Sequence, residues 1–210
     1  MSRTYKIITN QRIDISNLID ELRKRRIAAY AIDRAPTYLI FEDNFSARGI
    51  DLTEEDYGYE IRMTFLSNSN DYLLCNAIAV ILCRNLNATL KNENGNEKYI
   101  GTLFYDLDIS EAINSDINVL FALLNEGKKD ITIYGPIREF TFGSKTIEKV
   151  LAFQGDKHAI AYKLSKLILA CQYPPKNFTP FSNFLRIGNN DDEAYYVQVL
   201  SNKKDMVIEK

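Results

Sequence analysis

Tryptophan is absent from this 210-residue chain, and histidine occurs once, at His158. A single imidazole leaves a Ser-His or Cys-His nucleophilic pair one residue to use. It also denies zinc its familiar mixed ligand set. His158 lies beside Lys157 in the first turn of a predicted helix, where a solvated surface side chain is the simpler reading. The three cysteines, Cys75, Cys83 and Cys171, are odd in number and have neither disulfide-framework nor metal-site spacing. Each falls in an apolar helical pattern, where a free thiol packs as a small hydrophobe. Five prolines and nine glycines are too few for a disordered or fibrous chain.

Long apolar runs are missing as well. The longest, Tyr72 to Cys83 with Asn76 inside it, covers 12 residues, short of the roughly 20 needed to cross a bilayer. The opening Met1-Ser2-Arg3-Thr4-Tyr5-Lys6 has no signal-peptide core. No strand opens into a Gly-rich dinucleotide loop, and there is no Gly-x-Ser-x-Gly elbow. These features predict no membrane association, no cofactor, no metal and a reduced cytoplasmic setting. Abundant Ile, Asn and Lys point to a bacterial source.

Nor does one sign of charge dominate. The formal net charge is −2, with 13 basic and 14 acidic side chains in residues 1–105 and the same numbers in residues 106–210. The isoelectric point of about 5.6 makes nucleic acid an unexpected partner, since such binders usually lie above about 9. The basic run Arg23-Lys24-Arg25-Arg26 ends a predicted helix, where positive charge complements the dipole.

What is present is an interleaving of short strands with amphipathic helices. Strands are expected at Tyr5 to Thr9, Ala29 to Ile32, Tyr38 to Phe41, Tyr57 to Leu66, Ile131 to Tyr134 and Arg138 to Phe142. A hairpin around Asn94-Gly95 joins Ala88 to Lys91 with Lys98 to Tyr105. Helices are expected over Ser16 to Arg26 with Ser16 as N-cap, Asp71 to Leu86, Ser110 to Glu126, Ser144 to Leu151 and Asp156 to Gln172. Residues 42–56 carry loop chemistry. Pro174-Pro175 breaks the pattern, and a terminal hairpin pairs Ala194 to Leu200 with Asp205 to Glu209. The fold class is α+β: a mixed or mainly antiparallel sheet with four or five helices packed on it, from β-α-β(β) units and hairpins. A core domain spans residues 1–173. A Phe-rich loop and hairpin over residues 174–210 pack on that core or on a second subunit.

Several local patterns suggest chemistry but have plainer readings. Asp106 and Asp108 could join further carboxylates around a hard cation, yet they also suit a helix start ahead of Ser110. Gly143-Ser144-Lys145-Thr146 resembles the end of a phosphate loop, but Ser144 separates the glycine from the lysine. Asp191-Asp192-Glu193 reads as a solvated turn.

The largest local charge imbalance lies between residues 42 and 60. Glu42, Asp43, Asp51, Glu54, Glu55, Asp56 and Glu60 stand against Arg48 alone, a local balance of −6. An acidic loop of this kind steers basic partners and speeds their association. Phe178, Phe181 and Phe184 form a second candidate surface, which must cover this chain's own sheet or a homodimer contact. The expected function is therefore binding of a basic protein, as partner, inhibitor or immunity-like factor, with no catalytic residues. The alternative is an enzyme whose site draws on carboxylates, Tyr and Arg distant in sequence, such as Arg62, Asp106, Asp108 and Arg138.

Overall fold

The computed structural model describes residues 2–98, 109–126, 130–143, 148, 150, 152, 157–173, 184–187 and 195–198. The chain divides into two compact units, Met1–Tyr173 and Pro174–Lys210.

Seven strands of the first unit form one sheet. They are β1 (Arg3–Ile8), β2 (Ala29–Arg34), β3 (Thr37–Glu42), β4 (Ile50–Glu55), β5 (Gly58–Met63), β6 (Thr89–Asn92) and β7 (Glu97–Lys98). Their order is β2-β3-β4-β5-β1-β6-β7, and all neighbours run antiparallel. The architecture is thus α+β with an antiparallel sheet. One strand departs from expectation: Ile50–Glu55, read from sequence as loop, is a strand inside the sheet. Ile50 and Leu52 are buried, and Asp51 and Thr53, which alternate with them, belong to the other face. A strand solvated on one face carries half its residues as polar, and here those are acidic, so the segment reads as loop.

Helices α1 (Ile15–Lys24) and α2 (Ser69–Asn85) cover one face of the sheet. Leu18, Ile19 and Leu22 bury the apolar stripe of α1. Its N-cap is Asp14 rather than Ser16: the Asp14 carboxylate accepts from the Ser16 N–H at 2.8 Å and also from the Ser16 hydroxyl. A carboxylate is the stronger acceptor for a helix start. In α2, Tyr72, Leu74, Cys75, Ile78, Ala79, Ile81, Leu82 and Cys83 are all buried, because this helix fills the centre of the first packing cluster.

A second cluster gathers helices α3 (Ile109–Asn125) and α4 (Lys157–Gln172) with the hairpin β8 (Asp130–Tyr134) and β9 (Glu139–Gly143). Ile117 and Leu120 of α3 meet Ile160, Leu164 and Ile168 of α4, and Ile133, Phe140 and Phe142 close it from the hairpin.

In the second unit, β10 (Phe184–Ile187) pairs antiparallel with β11 (Tyr195–Gln198). Phe184 therefore starts a strand instead of ending a loop, and β11 takes that strand as its partner. Asp205 to Glu209, expected as the other arm, lies outside the described residues, as do Phe178, Phe181, Asp106, Asp108, Ser144 to Thr146 and Asp191 to Glu193. No described helix is long and apolar enough to cross a membrane.

Candidate functional site

The β4–β5 hairpin turns at Asp56-Tyr57, with Glu55 opposite Gly58 and Thr53 opposite Glu60. This register collects Glu54, Glu55, Asp56 and Glu60 at one end of the sheet. Glu54 and Asp56 are exposed, and Glu55 and Glu60 half-buried. The Tyr57 hydroxyl donates to Glu60 Oε2 at 3.3 Å. Desolvation, then the charges of Glu60 and Glu55, push the Tyr57 phenol up to about 12. Two cations border the turn: Lys6 lies 5.4 Å from the Tyr57 ring centre, and Arg12 Nη2 donates to the Glu55 carbonyl at 2.8 Å.

The other acidic candidates lie elsewhere. Asp51 sits near the start of β4, opposite Arg62. Burial raises its carboxyl, and the charges of Arg62, Arg34 and Arg48 pull it back. Glu42 and Asp43 close the far end of β3, beyond the Ile40–Ile50 pair. About six residues of strand, roughly 20 Å, separate them from the hairpin tip. The acidic segment is thus one turn cluster, one cross-strand pair and one distant turn.

A cleft of about 320 Å³ opens where the start of α2 meets α3 and α4. Leu66, Ile117, Leu164 and Ile168 form its apolar floor, and Ser67, Asn68, Ser69, Asp116, Tyr162 and Ser165 its polar wall. Asp116 is buried, and its Oδ2 accepts from the Leu66 N–H at 2.8 Å. Burial raises the Asp116 carboxyl, while the Leu66 bond and the charge of Arg3 oppose the shift.

Behind this wall lies Asp71, which is fully buried. It forms a reciprocal capping box with Asn68 at the N-terminus of α2. Its Oδ2 also accepts from the Arg48 N–H and its Oδ1 from the Gly49 N–H, each at 3.0 Å. One carboxylate therefore fastens the β3–β4 connection to the helix. Burial drives Asp71 up to about 6 despite these donors. Arg48 is pulled down to about 10 by burial, against the attraction of Asp71, Asp51 and Asp116, and its Nε donates to Thr64 Oγ1 at 3.0 Å. Arg3 donates to the Tyr72 hydroxyl at 2.7 Å.

Residues 6–208 match a family model described as a domain of unknown function, DUF4299. The chain belongs to the DUF4299 family. No curated protein and no solved structure matches this DUF4299 chain.

Sequence reasoning located the acidic segment but missed Asp116, Tyr162 and the central role of Asp71. The helix-start chemistry of Ser67 to Asp71 was visible, and Asn68-x-x-Asp71 has the spacing of a capping box. The reach of Asp71 to Arg48 and Gly49 was not. Of the residues weighed for an enzyme site, Arg62 faces Asp51 on the sheet, whereas the Arg138 backbone bonds Gln172 beside the β8–β9 hairpin. Those two are in different places. His158 falls in α4 by its backbone. Arg23 and Lys24 pair with Asp20 and Glu21 on the exposed surface of α1. Among the described residues, no three His, Cys, Asp or Glu side chains group as metal ligands.

Proposed function

We propose that this DUF4299 chain is a binding protein of the bacterial cytoplasm that docks a basic protein on the β4–β5 hairpin, in a partner, inhibitor or immunity-like role. The observation that supports this most is the register of the hairpin, which brings Glu54, Glu55, Asp56 and Glu60 to one end of the sheet with two of them exposed. Such a cluster raises the encounter rate with a cationic surface and contributes less to the lifetime of the complex. Lys6 and Arg12 offset part of the charge, so a partner reads the tip rather than the whole strand. Free cysteines, two of them buried, suit a reducing compartment.

An affinity capture from the native host at low and moderate salt tests the reading. The baits are the wild-type chain and a triple variant, Glu54→Gln, Glu55→Gln, Asp56→Asn. A stoichiometric basic protein, weakened by salt and by the variant, is the expected result. Equal capture of that protein by both baits, or capture of none, rejects it.

The cleft favours a second reading, a site for a small ligand with an apolar body and hydroxyl or amine groups. Its floor would take the first and its Ser, Tyr and Asp116 wall the second. Ile117→Trp would fill it. A ligand found with the wild-type protein by native mass spectrometry and lost from that variant is the expected result, and no bound ligand removes this reading.

A further inference from the structure

Among the described residues, strand β2 is an outer strand of the seven-stranded sheet, paired on one side only, with β3. Residues Tyr30 to Arg34 are all exposed. The ladder to β3 is continuous from Ala29–Glu42 to Arg34–Thr37, with no bulge. Neither proline nor lysine lies within the strand. A bulge, a proline and a lysine are among the devices by which outer strands discourage pairing with other chains, and β2 has none of these three, its charged side chains being Asp33 and Arg34.

Its side chains also fit themselves. Tyr30, Ile32 and Arg34 alternate onto the sheet face away from the α1–α2 cluster, opposite the buried Phe41 and Leu39 and the half-buried Thr37 of β3. Tyr30 is 48% exposed and Ile32 36%, and Tyr30 stacks on Phe41 with ring centres 5.8 Å apart. A two-fold axis perpendicular to the sheet keeps this face common to both copies, so residues of like parity must oppose one another. With the axis at Ile32, the two Ile32 side chains meet, and each Arg34 comes over a Tyr30 ring of the other copy, a cation–π arrangement made twice. Moving the register two residues one way sets the two Asp33 carboxylates against each other. Moving it the other way leaves Arg34 with no aromatic partner.

We infer that β2 pairs antiparallel with β2 of a second copy of this chain, centred on Ile32, making one continuous fourteen-stranded sheet from two seven-stranded ones. This surface is separate from the acidic hairpin, so the pairing stands or falls independently of the basic-partner reading.

The mass of the full chain by light scattering, with Ile32→Lys and two cysteine variants, tests it. The wild type runs as a dimer. Ile32→Lys sets like charges across the axis and weakens dimerisation by about tenfold or more, with its circular dichroism unchanged. Mild oxidation joins Ile32→Cys into a covalent dimer, because opposed Cα atoms across an antiparallel pair lie about 4.5–5.5 Å apart. Tyr30→Cys stays unjoined to its own copy, since four residues of offset place the two sulfurs beyond reach. A monomeric wild type overturns the inference. So does a dimer indifferent to Ile32→Lys, or one in which Ile32→Cys fails to join.

Discussion

In the cluster built on the sheet, the side chain that gathers loose backbone donors is a carboxylate, Asp71. In the cluster built on α3 and α4 it is an amide, Gln172. Both are buried. Asp71 accepts from the N–H groups of Asn68, Arg48 and Gly49. Gln172 Oε1 accepts from the N–H groups of Ile137 and Arg138, and its Nε2 donates to the Arg138 carbonyl at 2.7 Å. The carboxylate offers several acceptor sites and no donor, which suits a helix start and a turn that present only N–H groups. The amide offers both, which suits a hairpin turn presenting N–H and C=O together. The carboxylate makes its region sensitive to pH, and the amide does not.

Two glycines give the sharpest way to separate the regions. Gly58 has φ +135, and a Cβ there would strike the Ile7 carbonyl of β1, which is backbone held in the ladder. Gly135 approaches only the end of the Gln172 side chain. Gly58→Ala should cost about 3 kcal/mol or more by denaturant unfolding. Gly135→Ala should cost about 1–2 kcal/mol, since a side chain moves more cheaply than a strand. Equal costs would show that the sheet yields as readily as the hairpin turn.

Next in size is the pH response. Between the unfolded value of 3.8 and the folded value of about 6, the folded chain keeps a proton on Asp71 that the unfolded chain has lost. Raising the pH through this window therefore lowers stability, by on the order of 3 kcal/mol from this group alone. The raised carboxyls of Asp51 and Asp116 act in the same direction. Asp71→Asn should flatten the dependence in unfolding measured from pH 4 to 7, besides weakening the fold. Gln172→Leu should weaken the fold without altering the slope. A slope unchanged in Asp71→Asn would take the pH response away from the capping box.

The smallest effect concerns thiols. Cys75 and Cys83 lie buried in α2, and burial raises them to about 12 and about 11. Cys171 is half-buried in the second cluster. A thiol reagent should label Cys171 about 100-fold faster or more than the other two under native conditions. Similar rates at all three would mean that the first cluster opens as often as the second.

Much of this was legible in the chain. The alternation of Tyr59, Ile61 and Met63 with Glu60 and Arg62 marked β5, and the spacing of Leu18, Ile19 and Leu22 marked the buried face of α1. The acidic segment was visible as composition, yet β4 was not visible as a strand. Its outward residues Asp51, Thr53 and Glu55 hid the short apolar pair Ile50 and Leu52. The cleft left no trace, because its wall comes from three helices whose contributing residues lie up to about a hundred positions apart.

The sequence by itself determined the types of the other described elements but not of β4 and β10, because hydrophobic period and capping chemistry act over a few residues. It also determined the positions of charge. Tertiary structure alone decided which charges meet. Strand register split seven acidic residues into a turn cluster, a pair with Arg62 and a distant turn. Long-range packing decided that Asp71, a helix-cap residue by its neighbours, would also hold the β3–β4 connection, because a buried N–H must find an acceptor wherever the fold supplies one.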